Sequence, residues 1–256
     1  MFILFYILLL IIGIAVGAIT GITGSSGVIV VVPVLSYMGI NFKTTIGTSL
    51  LVDVITTTIV IYVYLKKKTL NIFIGLTLGL GAIIGAQLGS TVAYIVPVLP
   101  LELAFTAMTA YMSYYTINRS YHMNKARKHL NLNKNFAFFA GFLLAIPVGM
   151  LTGIIGASGG VLFIFIIILL FTMKAQNMVG TATLAMFFSA SSGAIGYARI
   201  GHIYYLAAVL IGIIALISGY YFSIFAHKID QKYIYRFLGV VFILVVISEI
   251  IKIAIL

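Results

Sequence analysis

Two short stretches of small and polar residues interrupt long apolar runs in this chain. The first, Gly21–Gly27, reads GITGSSG, and the second, Gly153–Gly160, reads GIIGASGG. Glycines permit a turn and a close approach of the backbone, and serine or threonine hydroxyls supply hydrogen bonds that such a turn needs. A helix that restarts after the turn presents free N–H groups and the positive end of its dipole, which favour an anion. The two stretches therefore predict a two-part anion site.

An acidic side chain in the third apolar run could add proton chemistry. Ser49, Asp53 and Thr57 are four residues apart, so a helix places them on one face, with Thr56 beside them. A carboxylate inside a membrane helix costs roughly 2.5–3.5 kcal/mol on insertion scales and indicates a functional residue. Two interpretations stay open: Asp53 takes up a proton as substrate moves, or it lies in water near the outer interface.

Other polar residues in the apolar runs give weaker predictions. Glu102 and Glu249 lie near segment ends and are expected to be solvated. Gln87 lies between Gly85 and Gly89 and is a candidate to line a pore. Several tyrosines are expected to anchor the chain at the membrane interface: Tyr62, Tyr64, Tyr94, Tyr111 and Tyr114.

Each stretch also contains Gly-x-Ser-Gly, a pattern found in intramembrane serine proteases. A catalytic serine needs a histidine base within hydrogen-bond reach. The four histidines all fall in predicted loops or at segment ends: His122, His129, His202 and His227. A single catalytic serine also gives no reason for the duplication, so hydrolysis is disfavoured and no catalytic residue is predicted. The chain has no cysteine, which excludes thiolate metal sites, and we expect neither a metal nor a cofactor.

The composition is that of an integral membrane protein. Hydrophobic residues make up 63% of the 256 residues and charged residues 7%, with a mean hydropathy of +1.24, whereas soluble domains carry about 25% charged residues. A membrane helix needs about 20 apolar residues. The first segment lacks the basic start and cleavage site of a signal peptide, so we expect a retained helix. Ten apolar segments can be drawn: 2–20, 24–40, 45–65, 69–94, 98–118, 136–155, 159–173, 178–199, 203–226 and 233–256.

The net charge of +11 follows the predicted topology. If all ten segments cross, twelve of the fifteen basic residues lie on one side, and Lys43, Arg199 and Lys252 lie on the other. The positive-inside rule then places both termini outside the cell and loop 119–134 in the cytoplasm, facing anionic lipid. No basic surface outside the bilayer remains for nucleic acid. The predicted partners are thus the lipid bilayer and a small anionic substrate, and the sequence indicates no oligomeric state.

The two stretches belong to an internal repeat. IGTSL in the first half matches VGTAT in the second with one residue inserted, although Asp53 aligns with Met186. Each half contains five segments, so the second half is inverted relative to the first, as in many secondary transporters. Five residues recur at a constant offset of 132: Gly17/Gly149, Gly21/Gly153, Gly24/Gly156, Ser26/Ser158 and Gly27/Gly159.

The expected fold is therefore an all-α, polytopic transmembrane protein with two inverted repeats. They comprise residues 1–118 and 136–256, joined by the basic cytoplasmic loop 119–135. Segments 24–40 and 159–173 are short and are expected to be half-crossings, with broken or hairpin helices at the glycine-rich motifs. Glycines at four-residue spacing are expected to pack helices closely: Gly13, Gly17 and Gly21, and also Gly81, Gly85 and Gly89.

The paired motifs resemble those of the TauE/SafE sulfite exporter family of membrane transporters: GAITGITGSSGVIVVVPVL with IGTSL, and GMLTGIIGASGGVLFI with VGTAT. The resemblance covers nearly the whole chain and implies transport of sulfite, sulfonates or related organic anions across the cell membrane. We expect alternating access at a midplane site between the repeats, with an anion channel as the alternative. The resemblance implies that the turns and the Gly-Thr-Ser elements line the path: Gly24, Ser25, Ser26, Gly27, Thr48, Ser49, Gly156, Ala157, Ser158, Gly159, Gly160, Thr181 and Thr183.

Overall fold

The computed structural model describes residues 2–121, 133–156, 159–171, 173, 175–229 and several positions between 233 and 251. No strand occurs among these residues, and the described positions between 233 and 251 are helical. The prediction of an all-α fold is therefore confirmed. Predictions for Ala157, Ser158, Glu249 and most of loop 119–134 concern residues outside the described ones. Nine helices have complete bounds: α1 Phe2–Thr23, α2 Val28–Tyr37, α3 Phe42–Lys66, α4 Ile72–Ile95, α5 Val98–Tyr121, α6 Lys134–Ile155, α7 Gly160–Leu170, α8 Ala175–Arg199 and α9 Tyr205–Ala226.

Six of these helices are long and apolar enough to cross a membrane: α1, α3, α4, α6, α8 and α9. By contrast, α2 and α7 have 10 and 11 residues. At 1.5 Å per residue they are about 15–17 Å long, or half of the roughly 30 Å hydrocarbon core. Neither can cross alone, so both have the length expected of half-crossings. The inversion of the two repeats, and their bounds at 118 and 136, stay predictions.

Glycines in the left-handed conformation end the two long helices that precede α2 and α7. Gly24, after α1, has φ +64°, and Gly156, after α6, has φ +74°. Side chains are strained in this region, whereas glycine is not. Both glycine–serine stretches thus lie between a long helix and a half-length one. We call Gly24–Gly27 the first turn and Gly156–Gly160 the second turn.

Rows of glycines bring two pairs of helices into backbone contact, α1 with α9 and α4 with α6. A Cβ atom added at Gly17 would lie 2.5 Å from the Ala215 carbonyl oxygen. One added at Gly85 would lie 1.9 Å from the Ile146 carbonyl oxygen. Distances this short leave no room for a side chain, as at other small-residue interfaces between membrane helices. The prediction of close packing by both glycine rows is confirmed.

Two buried tyrosines make similar contacts in the two halves. In α3 the Tyr64 hydroxyl donates to the Gly21 carbonyl oxygen at 3.3 Å, and in α8 the Tyr197 hydroxyl donates to the Ile154 carbonyl oxygen at 3.4 Å. Each bond reaches the last turns of the long helix that precedes a glycine–serine turn. The prediction that Tyr64 anchors the interface is wrong, because its side chain is 2% exposed. The other four predicted anchors are exposed, as anchors must be: Tyr62, Tyr94, Tyr111 and Tyr114.

Candidate functional site

The described parts of the two turns contact each other in the protein interior. A Cβ atom added at Gly160 would lie 1.9 Å from the Gly24 carbonyl oxygen, so this approach requires glycine. Each turn also packs on a long helix of the other half. Gly24 lies against Val179 in α8, and Gly156 lies against Ile46 in α3. The turns are thus neighbours, which a site shared between the halves requires.

The carboxylate of Asp53 occupies the start of α2. Asp53 is fully buried, and its Oδ1 accepts a hydrogen bond from the Gly27 amide at 2.9 Å. Its Oδ2 accepts one from the Ser26 hydroxyl, whose oxygen accepts in turn from the Val28 amide at 3.1 Å. These amides and the positive end of the helix are what a helix start offers to an anion. The interpretation of Asp53 as a residue in water at the outer interface is therefore wrong.

At the second turn, the described residues supply no matching carboxylate from α8. Met186 takes the place in α8 that Asp53 takes in α3, and its sulfur lies 3.2 Å from the position of a Cβ added at Gly160. Gly159 precedes α7 and gives its first amides no side-chain hydrogen bond. The described residues therefore complement the start of α2 with a charge of their own, but not the start of α7.

A cavity of about 40 Å³ lies between the two turns and α5. Ser25 and Ser26 of the first turn and Gly159 and Gly160 of the second line one side of it, together with apolar residues of α2 and α7. The Ser25 side chain is only 3% exposed. The Ser25 amide donates to a threonine hydroxyl, but no hydrogen bond joins the Ser25 hydroxyl to a described residue. A cavity of this volume has room for a few water molecules or a chemical group of similar size.

The other wall of the cavity is formed by α5, which the sequence did not predict. Phe105, Met108, Thr109 and Met112 line the cavity at helical spacing. Because the Thr109 hydroxyl donates to the Phe105 carbonyl oxygen at 2.7 Å, this wall presents mainly carbon and sulfur. In the sequence, the lining residues of α5 form a row of apolar residues three and four positions apart. Such rows occur in every segment of this chain, so the row could not identify α5 as part of the site.

The threonines of the two Gly-Thr elements hold helix starts in the opposite half. The Thr48 side-chain oxygen accepts from the Tyr204 amide, just before α9, at 2.9 Å. The Thr181 side-chain oxygen accepts from the Asn71 amide, just before α4, also at 2.9 Å. The two accepting threonines are 133 positions apart in the sequence, and so are the two residues whose amides donate. This is the offset of the repeat after its one inserted residue. These two threonines therefore bond across the halves, outside the residues that line the cavity.

The remaining polar candidates are occupied by helix contacts. Ser49 and Thr183 donate to carbonyl oxygens of their own helices. The Gln87 amide nitrogen donates to the Ser192 carbonyl oxygen at 2.7 Å and so joins α4 to α8. The prediction that Glu102 is solvated is wrong, because this residue of α5 is buried, with 5% of its surface exposed.

Neither described histidine bonds to Ser26. His202 bonds to Thr44 at 3.1 Å and His227 to Thr69 at 3.2 Å, both at helix ends, whereas His122 and His129 lie outside the described residues. The part of the chain that the structure describes also contains no cluster of three residues able to bind a metal. Within that part, Ser26 has a carboxylate partner and no histidine base.

Comparison with known proteins identifies the family. The family model for the sulfite exporter TauE/SafE matches residues 9–248. The chain belongs to this family. The probable membrane transporter protein YunE of Bacillus subtilis (strain 168) is 25% identical over 265 residues, which cover 94% of this chain and 95% of that protein. The probable membrane transporter protein YjnA of the same organism is 26% identical over 212 residues, covering 78% and 82%. No solved structure matches.

Family membership fixes the broad function of this TauE/SafE protein. The family and the relatives are membrane transporters, and six helices among the described residues are able to cross a membrane. It is therefore a multi-pass membrane transporter and not an enzyme. The resemblance seen in the paired glycine–serine motifs is confirmed, and the serine-hydrolase alternative is excluded.

Proposed function

We propose that this protein carries a small anion across the cell membrane by alternating access, with sulfite, a sulfonate or a related organic anion as substrate. The observation that carries this proposal is the cavity bounded by two turns, one from each half of the chain. Backbone amides at helix starts inside an apolar protein favour negative charge. The substrate would bind between the first turn, Gly24–Gly27, and the second turn, Gly156–Gly160.

The lining of the cavity supports an anion with a small body. Ser25, Gly159 and Gly160 line it on one side, and the apolar wall of α5 lines it on the other. Hydrogen bonds to a charged group strengthen where water is excluded. A compact oxyanion can accept several such bonds at once. Thr48 and Thr181 would contribute indirectly, by fixing the helices of the opposite half.

We also propose that Asp53 couples transport to protons. Its carboxylate bonds to Ser26, which lines the cavity. A charged Asp53 repels a nearby anion and a protonated one does not, so the proton and the anion favour each other's binding. Among the described residues, the one other acidic side chain is that of Glu102 in α5. The hydroxyls of the buried Tyr64 and Tyr197 donate to backbone carbonyl oxygens.

The orientation in the membrane is a further part of the proposal. Both termini would lie outside the cell and loop 119–134 in the cytoplasm, because twelve of the fifteen basic residues then lie inside. Lys66, Lys67 and Lys68 are exposed at one end of α3, and Arg199 is exposed at the end of α8. These charges would lie on opposite sides of the membrane.

Flux through proteoliposomes tests this function. Purified protein would be reconstituted into liposomes, and these would be loaded with labelled sulfite, methanesulfonate, taurine or a cation control. We expect uptake and efflux of one or more of the anions that saturate with concentration, and no movement of the cation. Single-channel conductance in planar bilayers would instead establish a channel. Absence of flux for every anion in protein that remains monodisperse would contradict the proposed substrate class.

A further inference from the structure

We infer that the two turns are not equivalent: the anionic group of the substrate binds at the start of α7, whereas Asp53 fills the equivalent place at the start of α2. This inference rests on the proposed function and names the half of the site that holds the charge. It differs from a symmetric site, in which both turns would contact the substrate anion alike.

The start of α2 already holds an anion from the protein itself. The Asp53 carboxylate accepts from the Gly27 amide and the Ser26 hydroxyl, and Ser26 accepts from the Val28 amide. A substrate anion would have to displace a fully buried carboxylate from these donors. In this arrangement a carboxyl group of the protein itself uses the donors of the first turn.

The start of α7 also follows a glycine, but Gly159 has φ +75° whereas Gly27 has φ −72°, and no described carboxylate occupies it. This helix has 11 residues, so its dipole and first amides are those of a full helix start. Gly159 supplies no cap, and the position that corresponds to Asp53 holds the thioether of Met186, which lies close to Gly160. The thioether of Met186 is uncharged and cannot neutralise the positive end of the α7 dipole. The described residues therefore place no negative charge at the start of α7.

A buried hydroxyl on the opposite side of the cavity points to a ligand there. Ser25 lines the same cavity as Gly159 and Gly160, is 97% buried, and has a hydroxyl with no hydrogen bond to a described residue. Most buried hydroxyl groups have partners. Of the described buried hydroxyls without one, that of Ser25 belongs to a residue lining this cavity, whereas three others lie elsewhere: Thr20, Ser189 and Ser191. An anion at the start of α7 would accept from the Ser25 hydroxyl and from the first amides of α7 together. The first turn would thus contribute a hydroxyl, and the second turn the positive helix end.

Giving the second turn a carboxylate of its own tests this assignment. Met186→Asp would place an acid where Asp53 lies in the other half, and Met186→Asn is the matched control of equal size without the charge. Affinities for sulfite and methanesulfonate would be measured by calorimetry on purified, monodisperse protein at neutral pH. Because the new carboxylate would occupy the substrate's place, we expect Met186→Asp to bind about tenfold to a hundredfold more weakly than Met186→Asn.

A second variant tests the same assignment even if the Met186 variants do not fold. Ser25→Ala removes one hydroxyl without adding bulk, and we expect it to weaken anion binding about tenfold, with unchanged thermal stability. Equal binding by Met186→Asp and Met186→Asn, or wild-type affinity in Ser25→Ala, would overturn the assignment while leaving the transporter proposal intact. Failure of the wild type to bind any anion of the panel would contradict the proposed function itself.

Discussion

The Asp53 side chain shows how this protein accommodates a carboxyl group inside an apolar helix. It is fully buried in α3, a helix able to cross a membrane, where an acidic residue costs on the order of 2.5–3.5 kcal/mol on insertion scales. Hydrogen bonds to a charged group contribute about 1.5–3 kcal/mol each, so the two from the first turn can offset that cost. The sequence identified Asp53 but not its donors, because Ser26 and Gly27 are 27 and 26 positions away.

Replacement of this carboxylate tests its role in proton coupling. In the wild type, anion flux should rise as pH falls, because protonation of Asp53 removes the charge that repels the anion. Asp53→Asn keeps a hydrogen-bond acceptor for the Gly27 amide but cannot titrate, so its flux should no longer respond to pH. Asp53→Glu is the control that keeps an ionisable group. A wild-type pH response in reconstituted Asp53→Asn would show that Asp53 carries no proton during transport.

At the scale of helices, the features that the sequence predicted are those encoded by local patterns. The half-length α2 and α7 follow from the spacing of turn residues, and the contacts of α1 with α9 and of α4 with α6 follow from glycines four residues apart. The wall formed by α5 and the bonds made by Thr48 and Thr181 were not predicted. They depend on which helices become neighbours, and uniformly apolar segments carry little information on that.

The bond between Thr48 and the start of α9 gives a prediction that separates packing from substrate binding. Thr48→Val keeps the shape of the side chain but leaves the part-buried Tyr204 amide without its acceptor, which costs about 0.5–1.5 kcal/mol, the net value of a typical hydrogen bond. We expect a lower thermal unfolding temperature and an unchanged anion affinity. Thr58→Val is the control, because the exposed Thr58 bonds only within its own helix, to Val54. Loss of affinity at unchanged stability would instead place Thr48 on the transport path.

Across the whole molecule, two kinds of hydrogen bond made by one half recur in the other. Tyr64 and Tyr197 bond to carbonyl oxygens that differ by one position in the repeat, and Thr48 and Thr181 bond to corresponding amides. Matched contacts of this kind would allow the molecule to adopt two related conformations, as alternating access between repeats needs. Asp53 and Met186 break the match at the point where the two turns meet. We therefore expect a symmetric framework around an asymmetric binding site.

The orientation of this framework can be measured with two exposed positions. The native chain has no cysteine, so each introduced cysteine reports on a single site. In intact cells, an impermeant maleimide should label Arg199→Cys at the end of α8 but not Lys67→Cys at the end of α3, and both should react once the cells are opened. The reverse pattern would place the termini in the cytoplasm and loop 119–134 outside the cell.

Protection of introduced cysteines by a bound anion tests most directly whether the two turns form one site. Ser25→Cys lies in the first turn and Leu162→Cys lies just after the second, and both positions line the cavity. Their reaction with a small methanethiosulfonate reagent would be timed in purified protein at rising concentrations of methanesulfonate, with Lys67→Cys as the unprotected control. We predict that methanesulfonate slows both reactions, and that Ser25→Cys needs about tenfold more of it, because that variant lacks the hydroxyl that donates to the anion. Protection of only one cysteine, or of neither, would contradict a single anion site shared by the two halves.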